Sequence, residues 1–140
     1  MESGDVHETK IGIVVRDDLE AWQKLNVTAF LAAGIAGSAP DCIGDTYEDA
    51  SGNTYLPLFG QPVFVYVASS EHLQRTRGRA VSREVPQAIY TKGMFATSND
   101  RDNRAVVSAA TENDLDIVGL AFRADRKIFD KIVNGLKLHP

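Results

Sequence analysis

The chain has a single cysteine, Cys42, in 140 residues, so no disulfide framework exists and a reducing, cytoplasmic setting is expected. Its three histidines, His7, His72 and His139, show no metal-ligand spacing, and neither a metal nor a cofactor is expected. No histidine is placed by sequence to activate Cys42 as a nucleophile. Long hydrophobic runs are missing too. The longest mostly apolar stretch, from Val27 to Ala36, falls short of the roughly 20 residues that cross a bilayer, and no membrane partner is expected. Positive charge is not in excess: 15 Lys plus Arg against 19 Asp plus Glu give a formal net charge of -4, which gives no general attraction to a phosphate backbone. Binding nucleic acid would take a local basic patch. The best candidate, Arg75, Arg77, Arg79 and Arg83 in "LQRTRGRAVSRE", reads first as a solvated helix face. The opening "MESGDVHETK" is polar and acidic, without the apolar stretch of a secretory signal.

What is present is the composition of an ordinary globular domain, 44% hydrophobic and 24% charged. The reading is a flexible tail over 1–9 and a single domain over 10–140. "KIGIVVR" is a β-branched apolar run of the kind that forms a buried strand. Asp17 or Asp18 then caps a helix in which Trp22, Leu25, Ala29, Ala32 and Ala36 recur at helical spacing, with other faces apolar as well. Alanines and Gly34 would let that helix approach a sheet closely, and Gly37 with Pro40 ends it. Residues 38–60 read as a loop or hairpin insertion, with Ser51, Gly52 and Asn53 between two tyrosine-bearing runs. "PVFVYVAS" is apolar at nearly every position, as parallel central strands are. A polar helix, the strand "QAIYT", a short helix from Asp100, the strand "LDIVGLAFR" and a last amphipathic helix in "DRKIFDKIVNGLKL" follow. The fold class is α/β: one domain with a mostly parallel mixed sheet covered by helices on both faces.

Ligands in open α/β sheets bind beyond strand ends, which singles out "TKGMFATSNDRDNR" after the strand "QAIYT". Thr97, Asp100 and Asn103 can converge there, Asp100 and Asn103 sharing a helix face. Alternatively, Ser98 or Asn99 caps the next helix and Asp100 sits in its first turn. Gly93 reads as a turn glycine with positive φ. Lys24 reads either as a solvated helix lysine or as a cation at the cleft. Asp17 and Asp18 read as a helix cap or as groups that orient Lys24.

Several of these segments, taken in order, resemble peptidyl-tRNA hydrolase II. "KIGIVVRDDL" is similar to that family's first strand and acidic turn, and "QKLNVTAFLAAG" falls on its glycine-lysine motif and alanine-rich helix. "GQPVFVYVASSEHLQ" is similar to its "GQPK" strand, "VPQAIYTKGMF" falls on its "LPxxxIxDAGxT" segment, and the closing strand and helix also match. The resemblance implies the family's fold, an ester hydrolase that acts on tRNA, and a homodimer. It also implies site residues: Lys24 falls on the family's lysine if the preceding loop is one residue shorter, while Thr91 stands at its aspartate and Phe95 at its threonine. Thr28 and Leu31 replace a glutamine and a histidine of its helix. A threonine hydroxyl cannot hold negative charge as an aspartate does, so the family's base is absent and Asp17, Asp18 or Asp100 would have to replace it.

The chain resembles a divergent, poorly characterised bacterial branch of that superfamily, which implies a protein that binds a small ligand or a very divergent hydrolase. The expected catalytic residues are Lys24, Asp18 and Thr91; the expected ligand-binding residues are Thr28, Lys92, Gly93, Thr97, Asp100 and Asn103. The alternative is a true peptidyl-tRNA hydrolase with a relocated base. The acidic balance disfavours tRNA, and the apolar helix around Phe30 calls for cover by a second copy.

Overall fold

The computed structural model describes residues 8–140. Of the tail expected over 1–9, residues 1–7 lie outside the described residues, and Thr9 already opens the first strand. The main elements are β1 (Thr9–Arg16), α1 (Ala21–Ser38), β2 (Tyr47–Glu48), β3 (Thr54–Tyr55), β4 (Val63–Ala68), α2 (Ser70–Ser82), β5 (Gln87–Thr91), α3 (Asp100–Ser108), β6 (Ile117–Asp125), α4 (Arg126–Ile132) and β7 (Lys137–Leu138). Five strands form one sheet in the order β5-β6-β1-β4-β7, and β2 pairs with β3 in a separate hairpin.

Alternation along β1 builds two cores. Ile11, Ile13 and Val15 face Val27, Leu31 and Ile35 of α1, while Val14 faces the opposite side with Leu73 and Ala80 of α2 and Phe129 and Ile132 of α4. Both faces of the sheet are thus covered. Close approach depends on small residues. A Cβ on Gly119 would lie 2.6 Å from Val27 Cγ1, one on Gly34 2.8 Å from Ala88 Cβ, and one on Gly12 2.8 Å from the Phe129 ring.

The sheet is mixed but not mostly parallel. Among the described residues only β1 and β4 pair parallel; β1 with β6, β5 with β6 and β4 with β7 are antiparallel. An apolar run marks any strand covered on both faces and carries no information on direction, so β6 entered between β1 and β5 unannounced. Because β1 and β5 both run against β6, they still point the same way. Their C-terminal ends share one edge of the sheet, the edge where β6 begins.

The chain differs locally from expectation at three other places. The N-cap of α1 is Glu20, whose N–H donates to Gln23 Oε1 at 2.9 Å; neither Asp17 nor Asp18 caps it. The inward stripe of α1 is Val27, Leu31 and Ile35, which leaves Trp22 and Leu25 57% and 73% exposed. The last segment is not one long helix: α4 stops at Ile132, Gly135 takes a φ of 89°, and the chain returns as β7.

Candidate functional site

The shared edge carries an ion network. Arg16, at the end of β1, is 7% exposed and donates to Asp18 and Asp116 at 2.7 Å each and to the Ile117 carbonyl at 3.2 Å. The hydrogen bond from Arg16 holds the Asp18 carboxyl below its ordinary value, with a smaller contribution from the charge of Lys92. Arg16 thus ties the end of β1 to the start of β6 through Asp116 and Ile117, and Asp18 anchors the turn after β1 to the same guanidinium. The Lys92 N–H donates to the Asp116 carbonyl at 2.8 Å, on the same edge.

Lys24 goes elsewhere. Its Nζ lies 3.1 Å from His139 Nε2, beyond β7. On a helix of 3.6 residues per turn, Lys24 stands about 200° around from both Trp22 and Asn26. Thr28 donates to the Lys24 carbonyl within α1, at 2.8 Å. Thr91 is 3% exposed, and its Oγ1 is buried with no hydrogen-bond partner among the described residues. Along β5 the Ile89 side chain belongs to the α2–α4 core and Tyr90 to the α1 core; the register shifts between Tyr90 and Thr91, and Thr91 pairs with Ile117, a member of the α2–α4 core, which sets Thr91 on the side away from α1. None of Lys24, Asp18 and Thr91 lines the cleft that forms beside α1.

A cleft does form on the α1 side, with a volume of about 440 Å³. From α1 come Trp22, Asn26 and Phe30, one turn apart; from β5 and the 3-10 turn Lys92–Ala96 come Tyr90, Met94 and Phe95; the far wall is Thr97 to Asp100 and Asn103. Four rings run in line along it. Trp22 meets Phe95 edge-on at 5.8 Å, Phe95 meets Tyr90 at 5.2 Å, and Tyr90 meets Phe30 at 5.8 Å. Such contacts are each worth about 0.5–1.5 kcal/mol beyond burial.

The polar groups of the cleft are neutral apart from one carboxylate. Asn26 Nδ2 donates to the Tyr90 hydroxyl at 3.3 Å, and burial pushes the Tyr90 phenol up despite that bond. Thr97 Oγ1 donates to the Met94 carbonyl at 2.9 Å and also bonds the Asn103 side chain. Asp100 pairs with Arg104 one turn along α3. Asn99 caps α3, accepting from the Asp102 N–H at 2.8 Å, which leaves Asp100 in the first turn. Gly93 does not take the positive φ expected of it. Its lack of a side chain is needed because a Cβ there would lie 2.9 Å from Val106 Cγ1, so it seats the 3-10 turn on α3.

Thr97, Asp100 and Asn103 thus line the cleft, while Lys24, Asp18, Thr28, Thr91, Lys92 and Gly93 do not. Sequence reasoning passed over Tyr90 and, on α1, Trp22, Asn26 and Phe30. The spacing of four on α1 was visible, but an aromatic at helical spacing reads as core until the packing of its helix is known.

Over residues 9–140 the sequence matches the family described as "Protein of unknown function (DUF2000)". The chain belongs to the DUF2000 family. A solved structure of a protein of unknown function from Agrobacterium tumefaciens is similar to this DUF2000 chain at 45% identity and a TM-score of 0.94, covering 96% of this chain and 100% of that one. No curated protein matches. The family name carries no activity, so the chemistry of the cleft has to stand by itself. Among the described residues no helix is long and apolar enough to cross a membrane, and no three His, Cys, Asp or Glu side chains group to hold a metal.

Proposed function

We propose that this DUF2000 protein binds a small, uncharged, flat ligand in the cleft between α1 and α3. The observation that carries this reading is the line Trp22, Phe95, Tyr90, Phe30 beside the side-chain amides of Asn26 and Asn103 and the hydroxyl of Thr97. Ligand sites combine apolar and aromatic walls with a few placed polar groups. Rings supply stacking area, and amides pair with a donor–acceptor edge. With Asp100 balanced by Arg104, no uncompensated charge calls for an ion.

The test uses the single tryptophan of the chain. Trp22 lines the cleft, so titration with uncharged heteroaromatic fragments (indole, nicotinamide, adenine) should change its emission saturably. Asn103→Ala should weaken the best fragment about tenfold, the equivalent of one hydrogen bond. If no fragment gives a saturable change, the reading is wrong.

Peptidyl-ester hydrolysis is the second reading, supported by the order of segments that resemble peptidyl-tRNA hydrolase II and by Asp100, a carboxylate in the same cleft as Thr97. Asp100 would take the place of the missing family base and activate water. Release of peptide from a peptidyl-tRNA substrate, abolished by Asp100→Asn, would establish this reading over simple binding.

A further inference from the structure

The geometry points to a second site, an anion-binding groove between α2 and α4 that takes a small ligand carrying two or more phosphate groups. This groove, about 570 Å³, is lined by Arg79, Arg83, Lys127, Asp130, Lys131 and Asn134. Four cations meet one carboxylate there, in a chain whose net charge is -4. The carboxylate is already engaged, since Asp130 accepts from Lys10 Nζ at 2.8 Å.

The fold itself requires only one of the four. Arg79 donates to the carbonyls of Ile132 and Asn134, at 3.4 and 2.7 Å, and so satisfies the end of α4. Arg83 donates only to the Arg79 carbonyl of its own helix, at 3.2 Å. The side chains of Lys127 and Lys131 make no hydrogen bond or ion pair with another described residue. Arg79 and Arg83 at the end of α2, and Lys127 and Lys131 on α4, are each four residues apart, about 6 Å along a helix axis, a spacing at which like charges repel. Two such rows border one groove. A ligand with phosphates at similar spacing relieves both repulsions at once, with Arg83 offering a planar fork and the lysines point charges.

The arginine run of α2 divides accordingly. Arg77 turns away to pair with Glu112 at 2.9 Å, whereas Arg79 and Arg83 join cations that α4 supplies from almost fifty positions further along the chain. The convergence is tertiary. It is also independent of the α1–α3 cleft, with which it shares no residue.

The probe is sodium tripolyphosphate, titrated into the whole protein by calorimetry, with sulfate at matched ionic strength as the control. Saturable binding at a ratio of one per chain is expected, weakened at least tenfold in Lys127→Ala/Lys131→Ala and unchanged in Lys24→Ala. Because Lys127 and Lys131 are both exposed, the double variant should fold, which circular dichroism checks. Equal affinity in the double variant, no saturable heat, or equal binding of sulfate would overturn the proposal. Single-stranded RNA binding more tightly than tripolyphosphate would also overturn it, in favour of a nucleic-acid surface.

Discussion

Lys24 and His139, 115 positions apart, meet with Nζ 3.1 Å from Nε2. An ammonium group only donates, so the contact needs an unprotonated Nε2; Nδ1 then carries the proton and donates to the Pro140 carbonyl at 3.0 Å. Exposed polar pairs of this kind contribute little. Lys24→Ala should therefore change unfolding stability in urea by no more than about 0.5 kcal/mol. It should also leave fragment binding at Trp22 unaltered. Loss of fragment binding in this variant would return Lys24 to the site.

Gly119 seats α1 on the sheet. Adding a methyl 2.6 Å from Val27 Cγ1 and 3.1 Å from Leu31 Cδ1 forces the helix outward, and Gly119→Ala should cost about 1–3 kcal/mol. Gly78 is the matched control: it lies inside α2, and a methyl added there would have nothing within 4 Å. Gly78→Ala should stabilise by about 0.5–1 kcal/mol through helix propensity. Equilibrium denaturation of both variants should show opposite signs.

Asp49 organises the β2–β3 hairpin. Its carboxylate accepts from the Tyr55 hydroxyl at 2.6 Å and from the Asn53 and Ser51 N–H groups at 3.0 and 2.9 Å. The Tyr55 bond first, then those from Asn53 and Ser51, lower its pKa to about 2. A carboxylate with a depressed folded pKa contributes order that is complete above its unfolded value, about 3.9, and is lost as pH falls through the folded one. The Ser51 and Asn53 amide resonances should accordingly titrate with a midpoint near 2. A midpoint near 3.9, the free value, would show that the turn is not held this way.

Arg16 is the buried cation of the sheet edge. Replacing both of its partners, in Asp18→Asn/Asp116→Asn, leaves a guanidinium that is 7% exposed without a counter-charge, a change expected to cost about 3 kcal/mol or more. Either single variant keeps one partner and should cost much less. Thermal unfolding of the three variants tests this non-additivity.

Self-association through α1 is the last expectation. Trp22, Leu25 and Phe30 are 57%, 73% and 55% exposed, and Lys24 is the one charged residue of the helix. A surface helix ordinarily turns charge to water. Sedimentation at micromolar concentration should show a dimer, and Leu25→Glu a monomer. A monomer in both would mean that this face is solvated as it stands.

What the sequence by itself determined is whatever depends on neighbours in the chain. The runs "KIGIVVR", "PVFVYVAS" and "LDIVGLAFR" became β1, β4 and β6 because β-branched apolar residues suit a strand buried on both faces. Ser69 and Asn99 cap α2 and α3 because their short oxygens reach the backbone N–H groups of His72 and Asp102. Three of the residues proposed for ligand contact, Thr97, Asp100 and Asn103, line the cleft because helical spacing alone puts two of them on one face. Tertiary structure decided everything that depends on which elements are adjacent. Strand direction was one such outcome, since burial reads the same for either polarity. Which face of α1 was buried was another, because a helix apolar on several sides has no preferred face until Gly119 offers one a place to rest. Having Val27, Leu31 and Ile35 on the sheet sent Trp22, Asn26 and Phe30 to the cleft and Lys24 to His139. That rotation of one helix about its axis, a matter of packing energy rather than of local sequence, is why the lysine stands outside the cleft that the aromatic residues line.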